Sequence, residues 1–212
     1  MSSIISILII DAVSKQPTTE RKGTEIMPGF IVLEGLNGSG KSTLSKLLAD
    51  HIGGISISTP PDSLLTLRST IDENASLLCR YHYYMLGNAL VSDQIRELRK
   101  TRFVVCDRFV HSTIARHSIL GLNIDKNTAI AGIEIPNANI FVTVSDEAER
   151  IRRIDGRGKK TKSDELDANP TMREKYLAYF RARGFVFLDT SRQTISESVS
   201  ELLVELTKLG IV

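Results

Sequence analysis

The 212-residue sequence has no tryptophan and only two cysteines, Cys79 and Cys106. Neither cysteine stands at a metal-ligand spacing, and two thiols cannot build the disulfide framework of a small secreted domain. No hydrophobic run approaches the roughly 20 residues that a membrane-spanning helix needs. The formal net charge of +2 is too small to predict binding to nucleic acid or to a membrane surface. These features favour a cytoplasmic protein without nucleic-acid or membrane partners.

The composition is that of a folded globular chain. Hydrophobic residues make up 42% of the sequence and charged residues 25%, which excludes a disordered or fibrous protein. The length fits one domain and is sufficient to bury a substantial core. Any strongly basic site must therefore come from local clustering of lysine and arginine.

The first 28 residues differ from the rest of the chain. An apolar stretch at 4–10 is followed by a polar stretch up to Pro28. No lysine or arginine precedes the apolar stretch, which disfavours a secretory signal. We therefore expect residues 1–28 to form an extension outside the core, with Met27 as a second candidate start. An additional edge strand or a partner contact remains the alternative.

Short apolar runs alternate with segments of helical periodicity after residue 29. The strand candidates are 30–33, 55–58, 103–106, 140–144 and 185–188. The helix candidates are 41–51, 63–71, 75–99, 112–120, 147–154, 171–183 and 196–209. This alternation predicts one α/β domain over residues 29–212, with a central parallel sheet of about five strands flanked by helices.

The segment Gly35–Ser42 matches the pattern G-x-x-x-x-G-K-[ST] at every fixed position. It follows a predicted strand and opens a predicted helix, which is the context of a phosphate-binding P-loop. Glycines let successive backbone N–H groups point at phosphate oxygens, and the helix N-terminus adds partial positive charge. The residues expected to bind ATP and its phosphates are Gly35, Leu36, Asn37, Gly38, Ser39, Gly40, Lys41, Ser42 and Thr43.

Within this loop two side chains have specific tasks. Lys41 is expected to reach the β- and γ-phosphates, and the Ser42 hydroxyl to ligate Mg²⁺. The chain has no Asn-Lys-x-Asp guanine-reading motif, and it is too short for the added subdomains of transport or motor ATPases. A small phosphotransferase that uses ATP and Mg²⁺ fits best.

Asp107 and Arg108 follow the third predicted strand. Ligands of open α/β sheets bind at the carboxyl ends of the strands, so Asp107 is expected to face the phosphates as a second metal residue. The planar guanidinium of Arg108 suits an acceptor phosphate. The alternative is a helix-capping aspartate beside a surface arginine.

A basic stretch surrounds Gly156 and Gly158. Its members are Arg150, Arg152, Arg153, Arg157, Lys159, Lys160 and Lys162. Phosphoryl transfer needs cations around the transferring group, delivered by a segment that excludes water. We therefore expect a lid over about 155–167; a solvated helix face is the alternative.

These motifs together resemble the thymidylate kinase family of nucleoside monophosphate kinases. The resemblance rests on Glu34–Thr43, on Asp107–Phe109 and on Arg153–Gly158, and it covers the chain from about Gly29 to its end. It implies a P-loop NTPase three-layer fold, a homodimer and transfer of phosphate from Mg·ATP to dTMP. Because no arginine lies inside the P-loop, the resemblance implies a catalytic arginine in the lid, either Arg153 or Arg157.

The departures from the family pattern fall on the acceptor side. Asn37 replaces an acid, Ser58–Pro60 replaces Arg-Glu-Pro, and Ala115–His117 replaces Ala-Tyr-Gln. The resemblance implies that the catalytic residues are Lys41, Asp107, Arg108, Arg153 and Arg157. The candidate acceptor-binding residues are Asn37, Arg68, Tyr84, Arg108, Ser112, Thr113 and His117.

The small-molecule substrates are therefore expected to be nucleotides, with conversion of dTMP to dTDP as the first hypothesis. Two alternatives stay open. One is a kinase of the same fold acting on another nucleotide, a nucleoside or a small metabolite. The other is a nucleotide-binding regulatory protein without transferase activity.

Overall fold

The computed structural model describes residues 28–158 and 161–212. The strands in these ranges are β1 (Phe30–Gly35), β2 (Ile55–Ser58), β3 (Val104–Asp107), β4 (Ala138–Thr143) and β5 (Val186–Asp189). The helices are α1 (Lys41–His51), α2 (Asp62–Asn74), α3 (Leu77–Leu98), α4 (Val110–Ile119), α5 (Lys126–Ile130), α6 (Glu147–Asp155), α7 (Lys162–Ala168), α8 (Pro170–Arg181) and α9 (Ile195–Lys208). The expected N-terminal extension lies outside the described residues except for Pro28.

The five strands form one sheet in the order β2-β3-β1-β4-β5. Every adjacent pair is parallel, which confirms the predicted fold class. Strand β1 is central: Leu33 lies opposite Asp107 of β3 and also opposite Ile140 of β4. The strands β2 and β3 lie on one side of β1, and β4 and β5 lie on the other. The strand order therefore switches direction at the carboxyl end of β1, which is where open α/β sheets bind ligands.

Both faces of the sheet are covered by helices. Successive residues of a strand point to opposite faces, so Ile31 and Leu33 pack with α1 and α9, while Phe30 and Val32 pack with α3 and α4. A third cluster around Phe141 joins β4 to α8. All six residues of β1 are buried, as expected for a central parallel strand. This rigid packing holds the loop after β1 in place.

Several local elements differ from the sequence-based expectation. Helix α4 begins at Val110 rather than at residue 112, and the preceding Phe109 is buried against Phe30. Helix α5 has five residues, too few to give a periodic signal. Helix α7 lies inside the polar stretch, where Thr161 and Asp164 form a capping box. No helix of the described residues is long and apolar enough to cross a membrane.

Candidate active site

The phosphate loop connects β1 to α1 in a tight curl. A Cβ at Gly35 would lie 2.1 Å from the carbonyl oxygen of Val142, and one at Gly38 would lie 2.8 Å from that of Arg150. Gly38 also has a left-handed backbone, with φ of +85°. Glycine is thus needed at both positions for steric reasons. Helix α1 has no side-chain cap, so its first N–H groups are available to an anion.

Lys41 lies inside the curl of this loop. Its side-chain amine donates hydrogen bonds to the carbonyl oxygen of Leu36 at 2.8 Å and to Oγ of Ser39 at 3.4 Å. Burial lowers the pKa of Lys41 to about 7, and the positive charge of Arg108 contributes in the same direction. The free amine is therefore close to losing its charge, and a bound phosphate would favour its protonated form.

Ser42 and Asp107 meet at the carboxyl end of β3. The Ser42 hydroxyl donates a hydrogen bond to Oδ2 of Asp107. The other carboxylate oxygen, Oδ1, is buried and has no hydrogen-bond partner among the described residues. Buried carboxylate oxygens are normally satisfied, and hydroxyl and carboxylate oxygens are ligands that Mg²⁺ prefers. This pair therefore fits a magnesium ion or one of its water ligands.

Arg108 projects from the turn after β3 toward the phosphate loop. Its guanidinium donates to Oδ1 of Asn37 at 2.6 Å and to Oγ of Ser112 at 3.3 Å. Its backbone is left-handed, with φ of +66°, which is unfavourable for a residue with a Cβ. Such strain persists only where the surrounding structure imposes it, and it concentrates at functional sites.

Glu34 fixes the turn that carries Arg108. The carboxylate is fully buried and accepts hydrogen bonds from the backbone N–H groups of Phe109 at 3.1 Å and Ser112 at 3.0 Å, and from the Ser112 hydroxyl. Burial raises the pKa of Glu34, while Arg108 and these donors oppose the shift. Sequence reasoning gave this residue no role, because a single acid in an apolar strand shows no spacing that marks it.

A cavity of about 570 Å³ lies over the phosphate loop. Arg153 and Arg157 line it together with Lys41, Asp107 and Arg108, so all the predicted catalytic residues border one space. Lys159 and Lys160 of the predicted basic stretch lie outside the described residues. The Arg153 guanidinium is already engaged, since it donates to Oγ1 of Thr190 at 3.0 Å and to the Thr190 carbonyl at 2.8 Å.

Arg157 is the less constrained of the two candidate arginines. Its side chain is 50% exposed, against 24% for Arg153, and it forms an ion pair with Asp164 at 3.2 Å. Arg153 also donates to Glu149 at 2.7 Å. Arg157 can therefore move toward a phosphate at lower cost, whereas Arg153 connects α6 to the loop after β5.

The predicted acceptor residues on α2 and α3 lie around one acid. The Tyr84 hydroxyl donates to both carboxylate oxygens of Asp72, at 2.8 and 3.0 Å. Arg68 forms an ion pair with the same carboxylate at 3.6 Å. Burial raises the pKa of Tyr84 to about 12, so its hydroxyl remains protonated and can donate. Asp72 itself was not predicted, because an acid in an exposed helix has no distinguishing pattern.

The predicted acceptor residues on α4 face α3. The His117 Nδ1 lies 2.8 Å from the carbonyl oxygen of Thr113, and its ring lies 6.0 Å from that of Tyr84. Burial lowers the pKa of His117, so the imidazole is neutral near pH 7. Asn88 of α3, which the sequence did not single out, donates to Oγ1 of Thr113 at 3.0 Å and keeps a buried Oδ1 without a partner among the described residues. These neutral polar groups suit an uncharged ring with its own donors.

The phosphate loop joins the central strand of a parallel sheet to an uncapped helix. An acid and an arginine stand at the carboxyl end of the neighbouring strand, β3. Together these features define a P-loop phosphotransferase. Comparison with known proteins narrows this class. The family model described as thymidylate kinase matches residues 33–202. The chain therefore belongs to the thymidylate kinase family.

Individual relatives and solved structures are similar to this chain at modest identity. A probable thymidylate kinase of Methanococcus aeolicus is 28% identical, over 88% of this chain and 100% of its own length. The human mitochondrial UMP-CMP kinase 2 is 27% identical over 92% of this chain, which corresponds to 46% of that protein. The structure of thymidylate kinase from Candida albicans matches with a TM-score of 0.65 at 20% identity, covering 86% of this chain and 92% of that one, and supports the fold.

Proposed function

We propose that this protein transfers the γ-phosphoryl group of ATP to dTMP, giving ADP and dTDP. The observation that carries the proposal is the position of Arg108. Its guanidinium donates to Oδ1 of Asn37 in the phosphate loop at 2.6 Å. A positive charge therefore stands beside the place where the γ-phosphate would lie. Membership of the thymidylate kinase family supports dTMP as the acceptor.

On the donor side, the loop amides and Lys41 hold the β- and γ-phosphates. Ser42 and Asp107 hold Mg²⁺, which when bound offsets the charge of the phosphate oxygens. The unpartnered Oδ1 of Asp107 supports this assignment. The protein contributes positioning and electrostatic stabilisation rather than a covalent step.

On the acceptor side, Arg108 grips the phosphate of the monophosphate while Asn37 and Ser112 orient the guanidinium. Tyr84, Thr113 and His117 face the base of the acceptor. Arg68 supplies a positive charge beside these residues. As the γ-phosphoryl group moves to the acceptor oxygen, Arg157 or Arg153 offsets the negative charge of its equatorial oxygens.

A second candidate is a kinase of the same kind with another nucleoside monophosphate as acceptor. The neutral Asn37 and His117, where the family pattern has an acid and a glutamine, favour it, because a changed polar contact shifts specificity strongly. The relative named UMP-CMP kinase 2 supports pyrimidine monophosphates as the alternative acceptors.

An acceptor panel tests the proposal. Purified protein is assayed with radiolabelled ATP, Mg²⁺ and dTMP, dUMP, UMP, CMP, dCMP, GMP, AMP and thymidine, and kcat/KM is measured for each. We expect dTMP to give the highest value. A higher value for another monophosphate would replace dTMP by that acceptor. ATP binding without transfer to any acceptor would refute the proposal and support a regulatory protein.

We also propose that the protein is a homodimer formed through α2 and α3. None of the residues of α2 is buried, and Leu67, Leu78 and Leu86 are each more than half exposed. Large apolar side chains that stay exposed on two packed helices favour a protein–protein interface. Sedimentation equilibrium is expected to give twice the chain mass.

The variant Leu86→Glu places a charge in this surface and is expected to sediment as a monomer. Leu209→Glu introduces the same change at a leucine that is 46% exposed near the end of the chain, and it should remain dimeric. A wild-type protein that is monomeric at micromolar concentration would contradict the dimer.

Residues 29–212 are proposed to form the P-loop kinase domain, with residues 1–28 as an extension and about 155–167 as the lid. The proposed start of the domain at residue 29 is supported by burial, because Gly29 and Phe30 are the first buried residues of the described chain. A cytoplasmic location is proposed because both cysteines are free thiols, Cys79 exposed and Cys106 buried.

A further inference from the structure

Three hydrogen bonds to Asn37 of the phosphate loop stand out, and its side chain also interacts with Asp164 of α7. Its backbone N–H donates to Oδ2 of Asp167 at 2.9 Å, and its carbonyl accepts from Arg150 at 2.9 Å. Its side-chain oxygen accepts from Arg108 at 2.6 Å. Both the backbone and the side chain of Asn37 are therefore fixed, and the side chain connects to the arginine proposed to bind the acceptor phosphate.

Asp167 supplies the contact to the backbone N–H of Asn37. It lies near the end of α7 and is only 1% exposed. Its second oxygen, Oδ1, accepts from Arg116 of α4, so both carboxylate oxygens are paired. Arg116 itself lies over the ring of Tyr176, with 4.8 Å between the guanidinium carbon and the ring centre. Charge-assisted bonds in a dry environment are strong and directional, which suits them to fixing one geometry.

We propose that Asp167 is a positioning residue for phosphoryl transfer, acting through Asn37 on Arg108. The role rests on the proposed function, because it assumes that Arg108 binds the acceptor phosphate. The chain of contacts runs from Arg116 to Asp167, then to Asn37 and then to Arg108. Asn37 can transmit the position imposed by Asp167 to the guanidinium of Arg108. Its neutral side chain hydrogen-bonds Arg108 without forming an ion pair with it.

The carboxylate of Asp167 is not what attaches α7 to the rest of the protein. Its backbone carbonyl accepts from Arg150 at 3.2 Å and from Arg173 at 3.4 Å, and any residue at position 167 keeps that carbonyl. Arg150 in turn is anchored by Glu147. Removal of the carboxylate should therefore leave the helix in place while releasing the Asn37 N–H and Arg116.

The test is a double-mutant cycle between Asp167 and Asn37. Asp167→Ala is expected to raise the KM for the acceptor monophosphate about tenfold while the KM for ATP stays within about twofold. Asn37→Ala should do the same, because it removes the side chain that holds Arg108. The double variant should be no worse than the worse single one, since both changes break one chain of contacts.

Two further variants separate positioning from folding. Asp167→Asn keeps the size and one acceptor oxygen for the Asn37 N–H but cannot pair as an anion with Arg116, so it is expected to recover part of the affinity. Glu174→Ala, at an exposed position on the next helix, α8, should match the wild type. Thermal melting of each variant, monitored by circular dichroism, shows whether the chain is folded.

The results distinguish this role from the proposed function. An active wild-type enzyme whose Asp167→Ala variant has an unchanged acceptor KM would overturn the role alone, as would effects of Asp167→Ala and Asn37→Ala that simply multiply. An equal rise in the KM for ATP would show a structural effect and would overturn it too. A wild-type enzyme inactive toward every monophosphate would refute the proposed function, and the role with it.

Discussion

Replacement of Lys41 by alanine is expected to lower kcat by about a thousandfold or more while the chain stays folded. The amine lies inside the phosphate loop, within hydrogen-bond distance of the Leu36 carbonyl and the Ser39 hydroxyl. In that position it offers a positive charge to the β- and γ-phosphates as the charge shifts between them. Steady-state kinetics with saturating ATP and dTMP measures the loss.

The same substitution should remove a characteristic pH dependence. The pKa of free Lys41 is lowered to about 7, whereas phosphate binding favours the protonated amine, so ATP binding takes up a proton above pH 7. The affinity of the wild type for ATP is therefore expected to fall as the pH rises from 7 to 9. Calorimetry in buffers of different ionisation enthalpy counts the protons, and the count for Lys41→Ala should be lower.

Lys46→Ala is the matched control, since Lys46 lies on the exposed side of the same helix. It should retain wild-type kinetics and the wild-type proton uptake. A folded Lys41→Ala enzyme with full turnover would remove the basis for the proposed reaction.

Replacement of Arg108 by glycine should produce the second largest loss. We expect kcat/KM for the acceptor to fall by about 10² to 10³, because the residue provides charge and a planar pair of donors to one phosphate. Arg108→Lys should recover only part of this, since an ammonium keeps the charge without the fork. The KM for ATP should change little.

Glycine is the informative substitution because of the left-handed backbone at this position. Glycine adopts φ of +66° freely, so Arg108→Gly should be more stable than Arg108→Ala by about 1 kcal/mol. Denaturant unfolding measures this difference. A glycine variant that is folded and binds the acceptor normally would assign the phosphate to another group.

The sheet and most helices could be predicted because their signals are local. Each strand is a short apolar run bounded by turn residues, and each long helix carries apolar residues at helical spacing. The order of the strands in the sheet has no such local signal, because it depends on which apolar runs pair with each other across long separations in the chain. The position of α7 was also beyond the periodic signal, because a seven-residue helix stabilised by a capping box has too few turns to show one.

The donor site was predictable for the same reason, because the P-loop is one continuous segment. The residues that hold it in shape were not. Glu34, Arg150 and Asp167 are separated from their partners by 75 to 130 positions in the chain, as in the bonds of Glu34 with Phe109 and of Asp167 with Asn37. A buried charged side chain of this kind is identified only when the fold brings its partners to it.

The acceptor side lies between these cases. The sequence indicated Arg68, Tyr84, Thr113 and His117 as candidates, partly at positions that depart from the family pattern. The structure brings them close to one another on three helices. The structure also adds Asp72, which accepts a hydrogen bond from Tyr84, and Asn88, which donates one to Thr113. These roles stay predictions until variants are tested, and the acceptor panel addresses their combined effect.

The central place of β1 has a consequence for how the protein is made. Its two neighbours come from distant parts of the chain: β3 follows two strands and three helices, and the register with β4 begins with Ile31 opposite Ala138. A ribosome releases β1 first, yet the strand lacks its second neighbour until β4 has also emerged. Long-range parallel pairing is slow because loop closure precedes the gain from contacts. Nucleotide binding during synthesis should therefore appear late, once both halves of the sheet have closed around the first strand.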